Sequence, residues 1–133
     1  MIDIENNVFN QIAKTLRSAF PDIFVSGETI AISKTYPCVS IEEADNYCYT
    51  HTQDSSGNEN HASVMYEVRV MSNKTNGKKT ECKKIFTAID NEFEQMGFAR
   101  TTKQPIPMDD AKTYQLFGRF TAIVSKNQTL FRR

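Results

Sequence analysis

Ala62-Ser-Val-Met-Tyr-Glu-Val-Arg-Val-Met71 is followed, after a basic turn, by a run in which Cys82, Ile85, Phe86, Ile89, Phe93 and Met96 are the apolar positions. In the first segment Ala62, Val64, Tyr66, Val68 and Val70 alternate with Ser63, Glu67 and Arg69, with Met65 and Met71 among the latter. A period of two predicts a half-buried strand. From Lys78 onward the apolar spacing becomes three, four and seven, which places one stripe on a helix. Gly97 follows at once, where a left-handed C-terminal cap wants glycine, and Phe98 is placed to fold back on the last turn. A sheet face and a helix stripe that both need covering are expected to cover each other, and this pair is the expected core.

Outward from that core, the chain of 133 residues is one domain's worth, with no internal repeat and no linker. Its hydrophobic share of 39% and charged share of 24% fit a soluble globular protein. Sixteen basic and sixteen acidic side chains cancel, so nothing overall marks a polyanion binder. No apolar run approaches the roughly 20 residues that span a bilayer, and no membrane partner is expected. The start, Met1-Ile-Asp-Ile-Glu-Asn, is acidic and lacks the apolar stretch of an export signal. Cys38, Cys48 and Cys82 make neither an even set nor a close pair and are expected to be reduced thiols.

Ile4, Val8, Ile12, Leu16 and Phe20, with Phe9 and Ala13 beside them, predict a first amphipathic helix ended by Pro21 and capped by Asp3. Ile23-Phe-Val25 and Thr29-Ile-Ala-Ile-Ser33 read as two short strands, or as one strand with an extended lead. In residues 37–49, Val39 and Ile41 are expected to point in and Ser40 and Glu42 out, with Tyr47 and Tyr49 extending the alternation. Residues 50–61 hold no aliphatic side chain and predict the long exposed loop of a hairpin. A short strand over 99–103 is expected, then Gln104-Pro-Ile-Pro107, which is barred from a central strand. Residues 113–125 predict the last long strand, with Phe117 and Ile123 on its second face calling for cover by a neighbour. Residues 126–133 read as a basic tail anchored by Leu130 and Phe131. The expected fold class is α+β, an antiparallel sheet with both helices on one face in α-β-β-β-α-β order, forming a single domain over 1–133.

The constellations that carry chemistry are thin. Gly77-Lys78-Lys79-Thr80 follows a strand and opens a helix, but Ser72 stands where a phosphate-binding loop has its first glycine, and Lys79 where it has Ser or Thr. Cys48, His51 and His61 would make three zinc ligands with no fourth. Glu42, Glu43 and Asp45 read as a solvated strand edge with no histidine or serine partner. Lys74, Lys78, Lys79, Lys83 and Lys84 cluster at one helix start without the aromatic platform of a nucleic-acid site. Catalytic, metal and cofactor-binding residues are therefore expected to be none, and the chain is not expected to be an enzyme.

Phe20-Pro-Asp-Ile-Phe24, Tyr36-Pro-Cys-Val-Ser-Ile-Glu-Glu-Ala-Asp-Asn-Tyr47, Glu59-Asn-His-Ala-Ser-Val-Met-Tyr-Glu-Val68 and Tyr114-Gln-Leu-Phe-Gly-Arg-Phe-Thr-Ala-Ile-Val124 resemble the tail-completion proteins of Gram-positive phages, which in turn resemble tail terminators. The resemblance implies a structural virion protein of the tail or neck. It would form a homo-oligomeric ring, a hexamer, that caps the head-proximal end of the tail tube and joins it to the head–tail connector. Double-stranded DNA would pass through the lumen without specific binding. The interface is expected in the loop and the tail, at Tyr47, Tyr49, His51, Gln53, Asp54, Asn58 and His61, and at Leu130, Phe131, Arg132 and Arg133. Competing readings are a head-completion or stopper protein, a small nucleic-acid-binding regulator, and an enzyme using Cys48, His51 and carboxylates.

Overall fold

The computed structural model describes residues 2–28, 36–48, 61–108, 111–125 and 130–132. The elements are α1 (Glu5–Ala19), β1 (Phe24–Ser26), β2 (Cys38–Cys48), β3 (His61–Ser72), α2 (Lys78–Met96), β4 (Ala99–Ile106), β5 (Tyr114–Ser125) and β6 (Leu130–Arg132). The strands form one sheet in the order β1-β2-β3-β5-β4, with β6 also on β5. The fold is α+β, a sheet with two helices, as expected.

Every strand pair is antiparallel except β1–β2, which is parallel, with Phe24 opposite Cys38 and Ser26 opposite Ser40. The expectation of a wholly antiparallel sheet is corrected to that extent. The reason is the eleven-residue connection 27–37, which is long enough to carry the chain back to the end where β1 began. The strand expected over 29–33 lies outside the described residues.

One core joins both helices to one sheet face. Val8, Ile12, Ala13 and Leu16 of α1 and Cys82, Ile85, Phe86, Ile89 and Phe93 of α2 meet Val39, Ile41, Val64, Tyr66, Val68, Val70, Leu116 and Phe120. The helices are tied to each other by Glu92, which accepts hydrogen bonds from Gln11 Nε2 at 3.1 Å and Thr15 Oγ1 at 2.9 Å. The helix starts one residue later than an Asp3 cap implies, yet Asp3 Oδ1 still accepts the Glu5 amide at 3.0 Å.

The end of α2 follows its sequence closely. Gly97 is left-handed at φ 98°, its amide donates to the Glu94 carbonyl and the Phe98 amide to the Phe93 carbonyl. This paired closure satisfies two of the carbonyls a helix end leaves open. It also sets the Phe98 ring edge-on to Phe93 at 5.0 Å.

β4 runs on to Ile106 and includes Pro105, further than the expected end at Lys103. That is compatible with proline because β4 pairs with β5 alone, as an edge strand. The tail read as anchored by Leu130 and Phe131 contributes β6, which pairs with the far end of β5 beyond β4, Leu130 opposite Val124. The expected neighbour over Phe117 is replaced by cover from within the chain. Phe117 is only 5% exposed, with the Arg69 and Arg119 guanidinium groups 4.9 and 5.2 Å from its ring centre. Arg119 is held there by Glu67 across the strand pair at 2.8 Å.

Candidate functional site

The register brings the two segments named from sequence to the same end of the sheet. Cys48, Ala62, Val124 and Leu130 form one row across β2, β3, β5 and β6, and Tyr47, Ser63, Ile123 and Phe131 form the row beside it. Strands lie about 4.8 Å apart, so the end of β2 and the start of β6 are about 14 Å apart. Residues 49–60 leave from Cys48 and return at His61 within this end. Tyr47 is 46% exposed there and His61 is half-buried opposite Ser125. Leu130, Phe131 and Arg132 are in β6, whereas Tyr49, His51, Gln53, Asp54, Asn58 and Arg133 lie outside the described residues.

A bulge decides which way this end of β2 faces. The register shifts between Glu43 and Asp45, with Glu43 opposite Tyr66 and Asp45 opposite Met65. The extra residue reverses the alternation. Glu43, before the shift, shares the helix-side face with Val39 and Ile41 by plain alternation; beyond it Asn46 joins that face and Tyr47 is moved to the helix-free face with Ser63. The continuous alternation read through residues 37–49 is corrected at this point. Ser40 is on the helix-free side as expected, but it is fully buried rather than pointing into solvent.

Glu43, expected on a solvated edge, is instead the hub of a hydrogen-bond network. Its Oε1 accepts the Tyr66 hydroxyl at 3.2 Å and Asn46 Nδ2 at 3.3 Å. The same Asn46 nitrogen donates to the Ile2 carbonyl at 2.8 Å, pinning the start of the chain to β2. The Glu43 amide donates to Glu5 Oε2 at 3.2 Å. Burial raises the Glu43 carboxyl above its usual range, and the nearby Glu5 and Asp3 charges push the same way, against the hydrogen bonds from Tyr66 and Asn46. Burial, with the Glu43 charge added, also raises the Tyr66 phenol.

A carboxyl raised in the folded state binds its proton more tightly there than in the unfolded chain. Its contribution is therefore favourable at low pH and fades as pH rises from the ordinary carboxylate range through the raised value. Glu43→Gln should abolish that component. Chemical denaturation of both proteins across the acid range should show the variant gaining on wild type as pH rises. A constant difference between the two would reject the assignment.

The Cys82 thiol is pushed up to about 12, first by burial and then by Glu81 and Cys38. It stays protonated at neutral pH and faces the carbonyls of Tyr114 at 3.4 Å and Val70 at 3.7 Å, so it is no nucleophile. Among the described residues no group of three His, Cys, Asp or Glu side chains is placed to hold a metal, and no helix is long and apolar enough to cross a membrane. The His51 and Cys48 side chains of the zinc reading are outside what is described.

A 400 Å³ groove is lined by Glu5, Asn6, Phe9, Ser26, Gly27, Glu28 and Ile41, beside the Glu43 network. A smaller recess of 240 Å³ lies at the end of α2, where Asp90 pairs with Arg100 at 3.4 Å. Comparison with protein-family models and with curated proteins finds no match for the chain.

Proposed function

We propose that this protein is a structural component of a phage tail. It would cap the head-proximal end of the tail tube as a ring of identical subunits and join it to the head-side connector. The observation that carries the reading is the shared end of the sheet, where Tyr47, His61 and β6 are gathered across four neighbouring strands. A small subunit that must meet both a tube and a connector needs adaptable segments on a stiff support, and loops on a sheet end provide that. The ring would be head-to-tail, each subunit offering one patch to the neighbour before it and a different patch to the neighbour after it.

The test is electron microscopy of tail tubes assembled without this protein, then mixed with it. Uniform density at one end of tubes of fixed length is the expected result. Bare tube ends, with binding to purified connectors instead, would move the protein to the head side of the joint. Removing residues 55–58 should leave the unfolding transition near that of wild type, because the described strands end outside this stretch. The same deletion should lose tube capping, and normal capping by it would reject a role for the loop.

A further inference from the structure

The charges of the two helices are arranged in opposite ways. In α1 the acidic Glu5 opens the helix and Arg17 lies in the last turn, the order that a helix dipole favours. In α2 the first turn mixes Lys78 and Lys79 with Glu81, and the last turn has no basic residue. Residues 72–84 carry Lys74, Lys78, Lys79, Lys83 and Lys84 against a single acid, Glu81, and residues 85–96 carry Asp90, Glu92 and Glu94 with no lysine or arginine. Glu81 is half-buried, its Oε1 2.5 Å from Ser72 Oγ, and the exposed Lys79, Lys83 and Lys84 outnumber it. Lys78 and Lys79, in the first turn, oppose the helix dipole. A sequence that obeys the rule in one helix and breaks it in the other keeps the exception for something outside the helix.

The complementary surface is at the other edge of the sheet. Glu5 and Glu28 line the 400 Å³ groove between the start of α1 and the turn after β1. Asp3 and Glu43 stand directly beside it, joined to Glu5 through the backbone hydrogen bonds already described. Asp3, Glu5 and Glu28 are exposed. This corner lies over β1 and β2, whereas α2 packs on β3, β5 and β4. The ion pairs Arg100–Asp90 and Arg119–Glu67 draw on neither set. A chain of zero net charge thus carries an acidic groove at one edge and a lysine cluster elsewhere.

We infer that the acidic groove at the start of α1 and the lysine cluster at the start of α2 are the two halves of a head-to-tail contact between copies of this chain. Neither patch can pair with its own copy, and where one patch of each molecule meets the other patch of the next, the result is a ring or a filament. Opposite charges steer the approach and set its register, and like patches repel one another, so wrong pairings are suppressed. The inference deepens the ring reading by naming the surfaces, yet it stands on charges that do not involve the tail tube.

Sedimentation of the full chain at low and high ionic strength tests it, using wild type, Lys79→Glu/Lys83→Glu/Lys84→Glu, Glu5→Lys/Glu28→Lys, and an equal mixture of the two variants. Wild type should self-associate at low ionic strength and weaken as salt is added. Each variant alone should associate at least about tenfold more weakly. The mixture should recover association, because each altered patch then meets its complement. The lysine variant should also melt close to wild type, since Lys79, Lys83 and Lys84 are exposed and an acid at position 79 suits the first turn, which separates lost contact from lost fold. Wild type that stays monomeric, variants that associate unchanged, or a mixture that fails to recover would each overturn the inference. So would lysine reversal that abolishes binding to duplex DNA while leaving self-association intact. Association that behaves as described, with no capping of tubes, would instead reject the tail assignment and leave this contact standing.

Discussion

Phe93→Ala should lower the unfolding free energy by about 3–5 kcal/mol, the usual range for deleting a buried aromatic ring. Phe93 is fully buried on α2 and lies at the centre of an aromatic cluster. It stacks on Phe120 of β5 at 4.2 Å with 11° between the planes, meets Phe98 edge-on at 5.0 Å, and faces Tyr66 of β3 at 6.1 Å. Those partners sit on two strands and a helix cap whose backbones are fixed by their own hydrogen bonds, so the hole cannot close easily. The variant also loses the ring on which Phe98 folds back, and with it the apolar contact that accompanies the glycine cap. In urea titrations the midpoint should fall while the slope stays unchanged, as for a loss of packing without a change in the exposed surface. Phe93→Leu should retain much of the stability. A loss below about 1 kcal/mol for the alanine variant would show that the helix and sheet are not locked through this ring.

How much of this was legible depends on whether the signal is local. The stripe of α2 and the alternation of β3 are periodic, so their buried faces, including Ile85, Phe86, Ile89, Phe93, Val64, Tyr66 and Val68, could be read directly. The glycine cap at Gly97 was equally plain, because helix stops follow local backbone rules. β6 was not legible, since three residues carry no period and their pairing with β5 is decided by the whole sheet. The bulge at residue 44 was hidden for a related reason. A two-residue period gives no warning of a phase shift, and one extra residue moved Asn46 to the helix side and Tyr47 to the helix-free face. The meeting of the loop and tail segments at one sheet end was likewise invisible in the sequence, in which 69 positions separate His61 from Leu130. It needed the register of β3 on β5. The lysine cluster at the start of α2 was legible as a local run, whereas the acidic corner was not, because the fold brings Asp3, Glu5, Glu28 and Glu43 together from distant positions.

Gly118→Ala should destabilise the fold by about 2–3 kcal/mol, even though alanine is ordinarily the better residue in a strand interior. Gly118 lies in the middle of β5, opposite Val68 on one side and Lys103 on the other. A Cβ there would sit 2.5 Å from Phe86 Cζ, 2.6 Å from Cε2 and 3.4 Å from the Thr102 carbonyl oxygen. The Phe86 ring has little room to withdraw. It is 1% exposed, packs against Phe120 at 6.0 Å, and lies beneath the Lys103 ammonium at 5.4 Å. The position of α2 on the sheet is therefore set by the absence of a side chain at residue 118. The expected loss comes from that contact and not from strand propensity, and the two causes have opposite signs. Phe86→Leu removes the atoms in conflict, so Gly118→Ala should be far less damaging on that background. The coupling between the two substitutions should fall within about 0.5–3 kcal/mol. Equal losses on both backgrounds would mean that the backbone of β5, rather than the Phe86 ring, demands glycine. A stabilised Gly118→Ala would mean that α2 rides higher above the sheet than its aromatic contacts imply.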